Sequence, residues 1–144
     1  MNLSTKMAKE CEKQYFFKLY SDAMKGQIEI LWGWDQKWQI NDSEERWNSC
    51  ANYVIYNAGQ RIGYFQIMEE KDEAYIMMFI IDEEYRSQGI GCDALALLNR
   101  LISNNVISLR VFKTNLKALA FYERNGFSIS KQENEFYLMH KKVT

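Results

Sequence analysis

The sequence predicts a mixed α/β (α+β) fold, a central sheet with helices packed on it. Three observations carry this. Apolar residues keep a helical spacing for about the first fifty positions and then change period. The run Ala74–Ile81 is almost wholly apolar, the pattern of a strand buried on both faces at a sheet centre. Two later segments with helical stripes alternate with short strands, which places helices against a sheet rather than in a bundle. The chain has 144 residues, enough for one core and short for two. We therefore expect one domain over residues 1–144, with a helical region at 1–50 and a sheet-rich core at 53–139.

The elements follow in order. Phe16, Phe17, Leu19, Tyr20, Ala23 and Met24, continued by Ile28, Ile30 and Leu31, form a helical stripe. Asn41-Asp42-Ser43 reads as a polar turn supplying the N-cap of a short second helix that carries Trp47. Met1 to Glu12 shows no convincing strand. Tyr53–Tyr56 and Arg61–Met68 read as strands about a turn at 57–60, and 69–73 is a charged hairpin loop before the strand Ala74–Ile81. A helix is expected from Gly89 to Ser103, with Ile90, Ala94, Leu97, Leu98, Leu101 and Ile102 on one face. Val106–Phe112 is a strand. Leu116–Arg124 is a helix stopped by Asn125-Gly126. Phe127–Ile129 and Phe136–Met139 close the chain as a hairpin.

Composition narrows the function. Eighteen basic and nineteen acidic residues leave a formal net charge of -1, so nucleic acid is not an expected partner. No apolar run reaches the length of a membrane span. Three cysteines without a CxxC pair, and a single histidine, His140, argue against a disulfide framework, a metal site and a Ser-His triad. A reducing, cytoplasmic setting is the expectation.

The chemistry sits in Phe79-Ile80-Ile81-Asp82-Glu83-Glu84-Tyr85-Arg86-Ser87-Gln88-Gly89-Ile90-Gly91-Cys92. A buried strand runs through a turn into a helix that begins at two glycines. The first N–H groups of a helix lack internal partners and carry partial positive charge. Glycines there let a phosphate approach the backbone. Farther on, Asn115 and Tyr122 are seven residues apart, within about 20° of each other on a helix, so both can face one cleft.

Arg86-Ser87-Gln88-Gly89-Ile90-Gly91 resembles the R/Q-x-x-G-x-G/A signature of the GNAT (GCN5-related) N-acetyltransferases. Asn115-Leu116-Lys117-Ala118-Leu119-Ala120-Phe121-Tyr122-Glu123-Arg124-Asn125-Gly126-Phe127 is similar to the family's second signature, N-x-x-A-x-x-x-Y-x-x-x-G-F. The resemblance covers roughly residues 53–139. It implies a mixed sheet splayed between its two central parallel strands, here Ala74–Ile81 and Val106–Phe112, with helices on both faces and acetyl-CoA as co-substrate. It implies that the backbone of Phe79, Ile80 and Ile81 holds the pantetheine. Arg86, Ser87, Gln88, Gly89, Ile90, Gly91 and Cys92 would hold the pyrophosphate. Asn115 would lie near the thioester arm, and Tyr122 would be the proton donor to the departing thiolate.

The expected reaction is direct attack of a primary amine, from a small molecule or a peptide, on the acetyl group in a ternary complex. Some family members carry a glutamate where this chain has Arg110, which cannot act as a base, so the base stays unassigned among Glu69, Glu70, Glu73, Asp35 and water. The same departure leaves a non-catalytic acyl-CoA sensor or subunit as the alternative. On the acceptor side, Trp32, Trp34, Asp35 and Glu73 are the candidates, because aromatics among acids suit a cationic amine. From Asp22 to Trp47 there are six acids and three bases. A monomer or homodimer is expected, with no metal.

Overall fold

The computed structural model describes residues 2–86 and 88–143. Seven strands form one sheet in the order β1-β2-β3-β4-β5-β7-β6. They are β1 (Leu3–Met7), β2 (Ala51–Asn57), β3 (Gln60–Glu69), β4 (Ala74–Ile81), β5 (Val106–Phe112), β6 (Ser128–Gln132) and β7 (Phe136–Lys142). Only β4 and β5 run parallel among the described pairs. The helices are α1 (Lys13–Trp32), α2 (Gln36–Ser49), α3 (Ile90–Ala96), α4 (Leu98–Leu101) and α5 (Leu116–Arg124).

The sheet separates two cores. Phe16, Leu19, Tyr20 and Ile28 of α1 pack with Val54, Tyr64, Ile80 and Phe112 on one face. On the other, Ile90, Ala94, Leu95 and Leu98 of α3 and α4 pack with Phe65, Ile76, Ile81, Leu109 and Val111. Alternation along β4 divides its side chains between them, with Met78 and Ile80 toward α1 and Phe79 and Ile81 toward α3. Helices on both faces bury this strand, as its apolar sequence predicts.

The β2–β3 hairpin turns through Ala58 and Gly59 at φ 51 and 84, the two left-handed positions of a type I′ turn. Gly63 on β3 is required by close approach. A Cβ there would stand 2.3 Å from the Ile80 carbonyl oxygen of β4.

Three expectations are corrected. The N-terminal segment is a strand: β1 pairs antiparallel with β2 from Leu3↔Asn57 to Met7↔Tyr53. Most of its residues are exposed, so as an edge strand it is held by backbone bonds and has little hydrophobic pattern to read. The second helix starts earlier, at Gln36, where Asp35 accepts from the Trp38 N–H at 3.1 Å. Asn41-Asp42-Ser43 lies inside that helix; the Asp42 side chain pairs with Arg46 and Ser43 Oγ donates to the Ile40 carbonyl, so these polar groups find partners without ending it. The helix expected from Gly89 to Ser103 is two pieces, tightened at Leu97, whose N–H bonds to Ala94 O at 3.0 Å. That i to i−3 bond is a 3-10 turn.

Candidate active site

The site is built around a gap in the sheet. Parallel pairing of β4 and β5 covers Ala74↔Ile107, Tyr75↔Ser108 and Ile76↔Leu109, and both strands continue beyond it. The register between β3 and β4 shifts at the same point, from Gln66↔Met78 to Ile67↔Ile76, leaving Met77 as an extra residue in β4. Such a bulge bends the strand that carries it and increases local twist. The far half of β4, Met77–Ile81, therefore diverges from β5 and leaves a V with one backbone edge facing the opening.

On the α3 side, the turn leaving β4 is fixed by short bonds. Asp82 N–H bonds to Ile62 O at 2.8 Å, the Asp82 side chain accepts from Glu84 N–H, and Arg86 Nε donates to the Ile81 carbonyl at 2.7 Å. Ser87 lies outside the described residues. Gln88 Nε2 donates to Glu84 O at 3.4 Å. Gly89 caps α3 at φ 76, with no atom within 4 Å of where a Cβ would be. That left-handed conformation favours glycine and leaves open space above the first N–H groups of α3. Ile90 is buried and anchors the helix start. Gly91 serves packing: a Cβ there would meet the Phe121 ring at 3.0 Å, so its absence lets α3 lie against α5. Cys92 is a free thiol on the surface, 3.5 Å from Asn125 Nδ2.

α5 begins at Asn115, whose side-chain oxygen accepts from Ala118 N–H at 3.1 Å. Its amide nitrogen has no hydrogen-bond partner among the described residues. Tyr122 is half-buried, wedged edge-on between Phe121 and Phe127 with centroids at 5.2 and 5.4 Å. Burial pushes its phenol well above the usual tyrosine range, so the group is held protonated, as a proton donor requires.

The α1 side presents aromatic rings. Phe112, at the end of β5, stacks on Phe136 of β7 at 4.7 Å. Trp32, the last residue of α1 and 59% exposed, leans over both at 6.0 and 6.2 Å. Phe112 and Phe136 were not legible as site residues, because their proximity to Trp32 arises from α1 crossing the sheet. Trp34 Nε1 donates to Gln36 at 2.7 Å, and Lys25 stands 5.7 Å over its ring. The Asp35 carboxylate is engaged in capping α2. Glu73 is not brought to the V. It precedes β4, at the paired end of the strand, and its carboxylate meets His140 Nε2 at 2.9 Å, while His140 Nδ1 meets Ser130 Oγ at 2.6 Å. Glu69 is also occupied elsewhere, accepting from Ser103 N–H and Asn104 Nδ2.

No group of three or more metal-ligating side chains occurs among the described residues, and no described helix is long and apolar enough to cross a membrane.

The pairing of β4 and β5 thus ends with α3 on one face of the sheet and the Trp32–Phe112–Phe136 rings on the other. The profile of the acetyltransferase (GNAT) family matches residues 10–127. Over 94 residues the chain is 29% identical to N-alpha-acetyltransferase 30 of Dictyostelium discoideum, a match covering 60% of this chain and 51% of that protein. The chain thus spans about half the length of that relative. Among solved structures it is similar to PaiA N-acetyltransferase from Thermoplasma acidophilum in complex with coenzyme A, with TM-score 0.79 and 14% identity over 99% of this chain and 100% of the other. An acetyltransferase from Thermus thermophilus aligns with TM-score 0.80 and 15% identity, over 99% and 98%. Ard1 from Thermoplasma volcanium aligns with TM-score 0.71 and 21% identity, over 100% and 99%. At such identities these likenesses show a shared fold. The family profile spans most of the chain, and the splayed parallel pair and the two signature helices lie within it; the chain belongs to the GNAT acetyltransferase family.

Proposed function

We propose that this chain moves an acetyl group from acetyl-CoA to a primary amine of a small molecule or peptide, by direct attack in a ternary complex. The observation that carries the reading is the two-sided V. Pairing of β4 and β5 stops after Ile76↔Leu109, with the start of α3 on one face and Trp32 on the other. One substrate can enter from each side and meet the other in the gap.

The residues fit acetyl-CoA, which would supply the acetyl group as a thioester. Gly89 leaves room for a phosphate over the N–H groups of α3. The backbone of Phe79, Ile80 and Ile81 borders the opening and can hold an amide-bearing arm. Arg86 holds the connecting turn, while Gln88 and Cys92 stand exposed beside the cradle. Asn115 keeps an amide free to donate. A backbone N–H of the same β4 edge would stabilise the charge that develops on the carbonyl oxygen. Tyr122 holds its proton for the departing thiolate, the role its burial supports. Placing both reactants in one slot supplies much of the rate.

On the acceptor side, Trp32 and Trp34 offer rings and Asp35 an exposed acid. The location of Glu73, beyond the paired end of β4, leaves it without support as an acceptor residue.

Two measurements test the reading together. Thiol release from acetyl-CoA is followed with spermidine, kanamycin, L-lysine and trialanine, and acetyl-CoA binding is followed by thermal shift. Amine-dependent release that falls in Tyr122→Phe is the expected outcome. Binding without release from any of these amines would favour an acyl-CoA sensor or subunit. Absence of both would overturn the reading.

A further inference from the structure

His140, the only histidine in the chain, joins two partners at the end of β4 away from the V. Its Nε2 meets the Glu73 carboxylate at 2.9 Å, and its Nδ1 meets Ser130 Oγ at 2.6 Å. A lone histidine argues against a serine–histidine pair from composition, but one is enough once three strands converge on it. We propose that Ser130, His140 and Glu73 form a second reactive centre, in which Ser130 is a nucleophile acylated by small carboxylic esters with good leaving groups, such as aryl acetates. This centre is separate from the V and stands without the transferase reading.

The sheet builds it. Glu73 immediately precedes β4, Ser130 is on β6 and His140 on β7. His140 is paired with Ser108 of β5, a wholly buried residue whose small side chain keeps the face low between β4 and β7. Glu73 reaches across β5 there. Ser130 is placed by a bulge. Ile129 pairs with Met139 and Lys131 with Leu138, so Ser130 is an extra residue in β6. A bulge interrupts the alternation of faces and re-aims side chains. Here it turns the hydroxyl onto the imidazole of the neighbouring strand. Lys142, two residues along β7, and Lys131, opposite Leu138, share the face of His140.

The two contacts fix the tautomer. An ionised carboxylate only accepts, so Nε2 carries the proton that Glu73 receives, and Nδ1 presents its lone pair to Ser130. The competing acceptor for the Ser130 hydroxyl, Leu138 O, lies farther off at 3.2 Å. A serine hydroxyl becomes a useful nucleophile when an adjacent base takes its proton and a third group orients that base. Glu73 orients His140 and also faces the positive charge that the ring acquires. The side chains of His140 and Glu73 are partly shielded, at 32% and 35% exposed, which strengthens their attraction relative to open water. Ser130 is exposed, as is the whole of β6, so an ester can reach it. Lys131 and Lys142 supply positive charge on the side where the ester oxygen becomes negative. With no enclosure along β6 to select the acyl group, the leaving group decides which esters react.

The step balances. Ser130 Oγ bonds to the ester carbonyl carbon while its proton passes to His140 Nδ1. The bond from that carbon to the alcohol oxygen then breaks, the electron pair leaves on oxygen, and His140 returns the proton to it. Water attacks the acylated Ser130, giving one proton to His140 and receiving the acyl group as the carboxylic acid. The bond from carbon to Ser130 Oγ breaks, and His140 hands the proton back to the serine. One ester and one water become one acid and one alcohol, with nothing oxidised or reduced.

The test uses the full chain without acetyl-CoA and a fluorophosphonate carrying a fluorophore, a probe that phosphonylates base-activated serines. The label is mapped by peptide mass spectrometry. A label at Ser130 is expected in wild type, lost in Ser130→Ala and kept in Ser4→Ala, which removes an exposed serine on β1. His140→Gln should slow labelling at least about 100-fold, the low end of what a general base contributes, and Glu73→Gln should slow it by a smaller factor. Wild type should also turn over p-nitrophenyl acetate, and Ser130→Ala should lose that turnover. The thermal shift given by acetyl-CoA should be the same in Ser130→Ala as in wild type, because the V lies at the other end of β4. Wild type that takes no label at Ser130 would overturn the proposal, and so would labelling there that is as fast in His140→Gln as in wild type. The wild-type map decides without any variant, should one fail to fold. A chain that takes the label yet releases no thiol from acetyl-CoA would keep this centre and remove the transferase reading, so the two fail separately.

Discussion

Gly63→Ala is the sharpest single perturbation of this framework, because it acts on the strand that forms one wall of the V. Gly63 faces Ile81 across the β3–β4 ladder, and a Cβ would lie 2.3 Å from Ile80 O, 3.1 Å from Ile81 Cα and 3.1 Å from Ile81 Cδ1. The nearest obstacle is backbone, so no side-chain rotation relieves it. Ordinary carbon–oxygen contacts begin near about 3.3 Å, so the strands must separate by about 1 Å. Overpacking of this kind costs roughly 1–3 kcal/mol, and each ladder bond it weakens adds up to about 1 kcal/mol. The expected loss is about 3 kcal/mol, or about 9 °C in Tm for a chain of this size. Urea and thermal unfolding measure it, with Gly26→Ala as the control. Gly26 lies inside α1 with no atom within 4 Å of its Cβ position, and alanine there should stabilise by about 0.5–1 kcal/mol. Because Ile80 and Ile81 border the V, acetyl-CoA binding should weaken in Gly63→Ala and hold in Gly26→Ala. A Gly63→Ala protein within about 1 kcal/mol of wild type would refute the contact argument.

Three further outcomes are expected. Ala58 occupies a left-handed position at φ 51, so Ala58→Asn should stabilise by up to about 1 kcal/mol in urea unfolding. Gly91→Ala should push α3 from Phe121, the ring 3.0 Å away, and weaken acetyl-CoA binding more than it lowers Tm, as calorimetry and thermal unfolding would show. Burial pushes the phenols of Tyr64 and Tyr122 upward, so above about pH 10 the unfolded chain releases protons that the folded chain keeps. Stability should therefore fall as pH rises past that value, measured by urea midpoints from pH 8 to 11, and Tyr64→Phe should flatten the fall.

Elements held by local signals were legible in the sequence. The buried strand β4, the glycine-led start of α3 and the Asn115-capped α5 were all readable, since spacing and capping chemistry act within a few residues. Elements held by distant partners were not. β1 carries almost no apolar pattern because it is an edge, and its ladder to β2 joins residues about fifty positions apart. Asp35 looked like an acceptor acid, yet the N–H groups of the helix start compete for its carboxylate. Glu73 looked near the chemistry because it precedes β4, but the strand carries the V at its other end.

The sequence by itself determined the alternation of helices and strands, the glycine-led start of α3 at Gly89 and the placing of Asn115 and Tyr122 on one helix. These depend on local dihedral preferences and helical period, which a chain expresses wherever it is placed. Only the tertiary structure decided where β4 and β5 part, because that depends on the Met77 bulge and on pairing across the sheet. It alone stacked Trp32 over Phe112 and Phe136, and it alone brought Tyr75 to Arg110 and Arg110 to Glu133. Those meetings join side chains 23 or more residues apart, and no local preference encodes a distance that the fold itself must close.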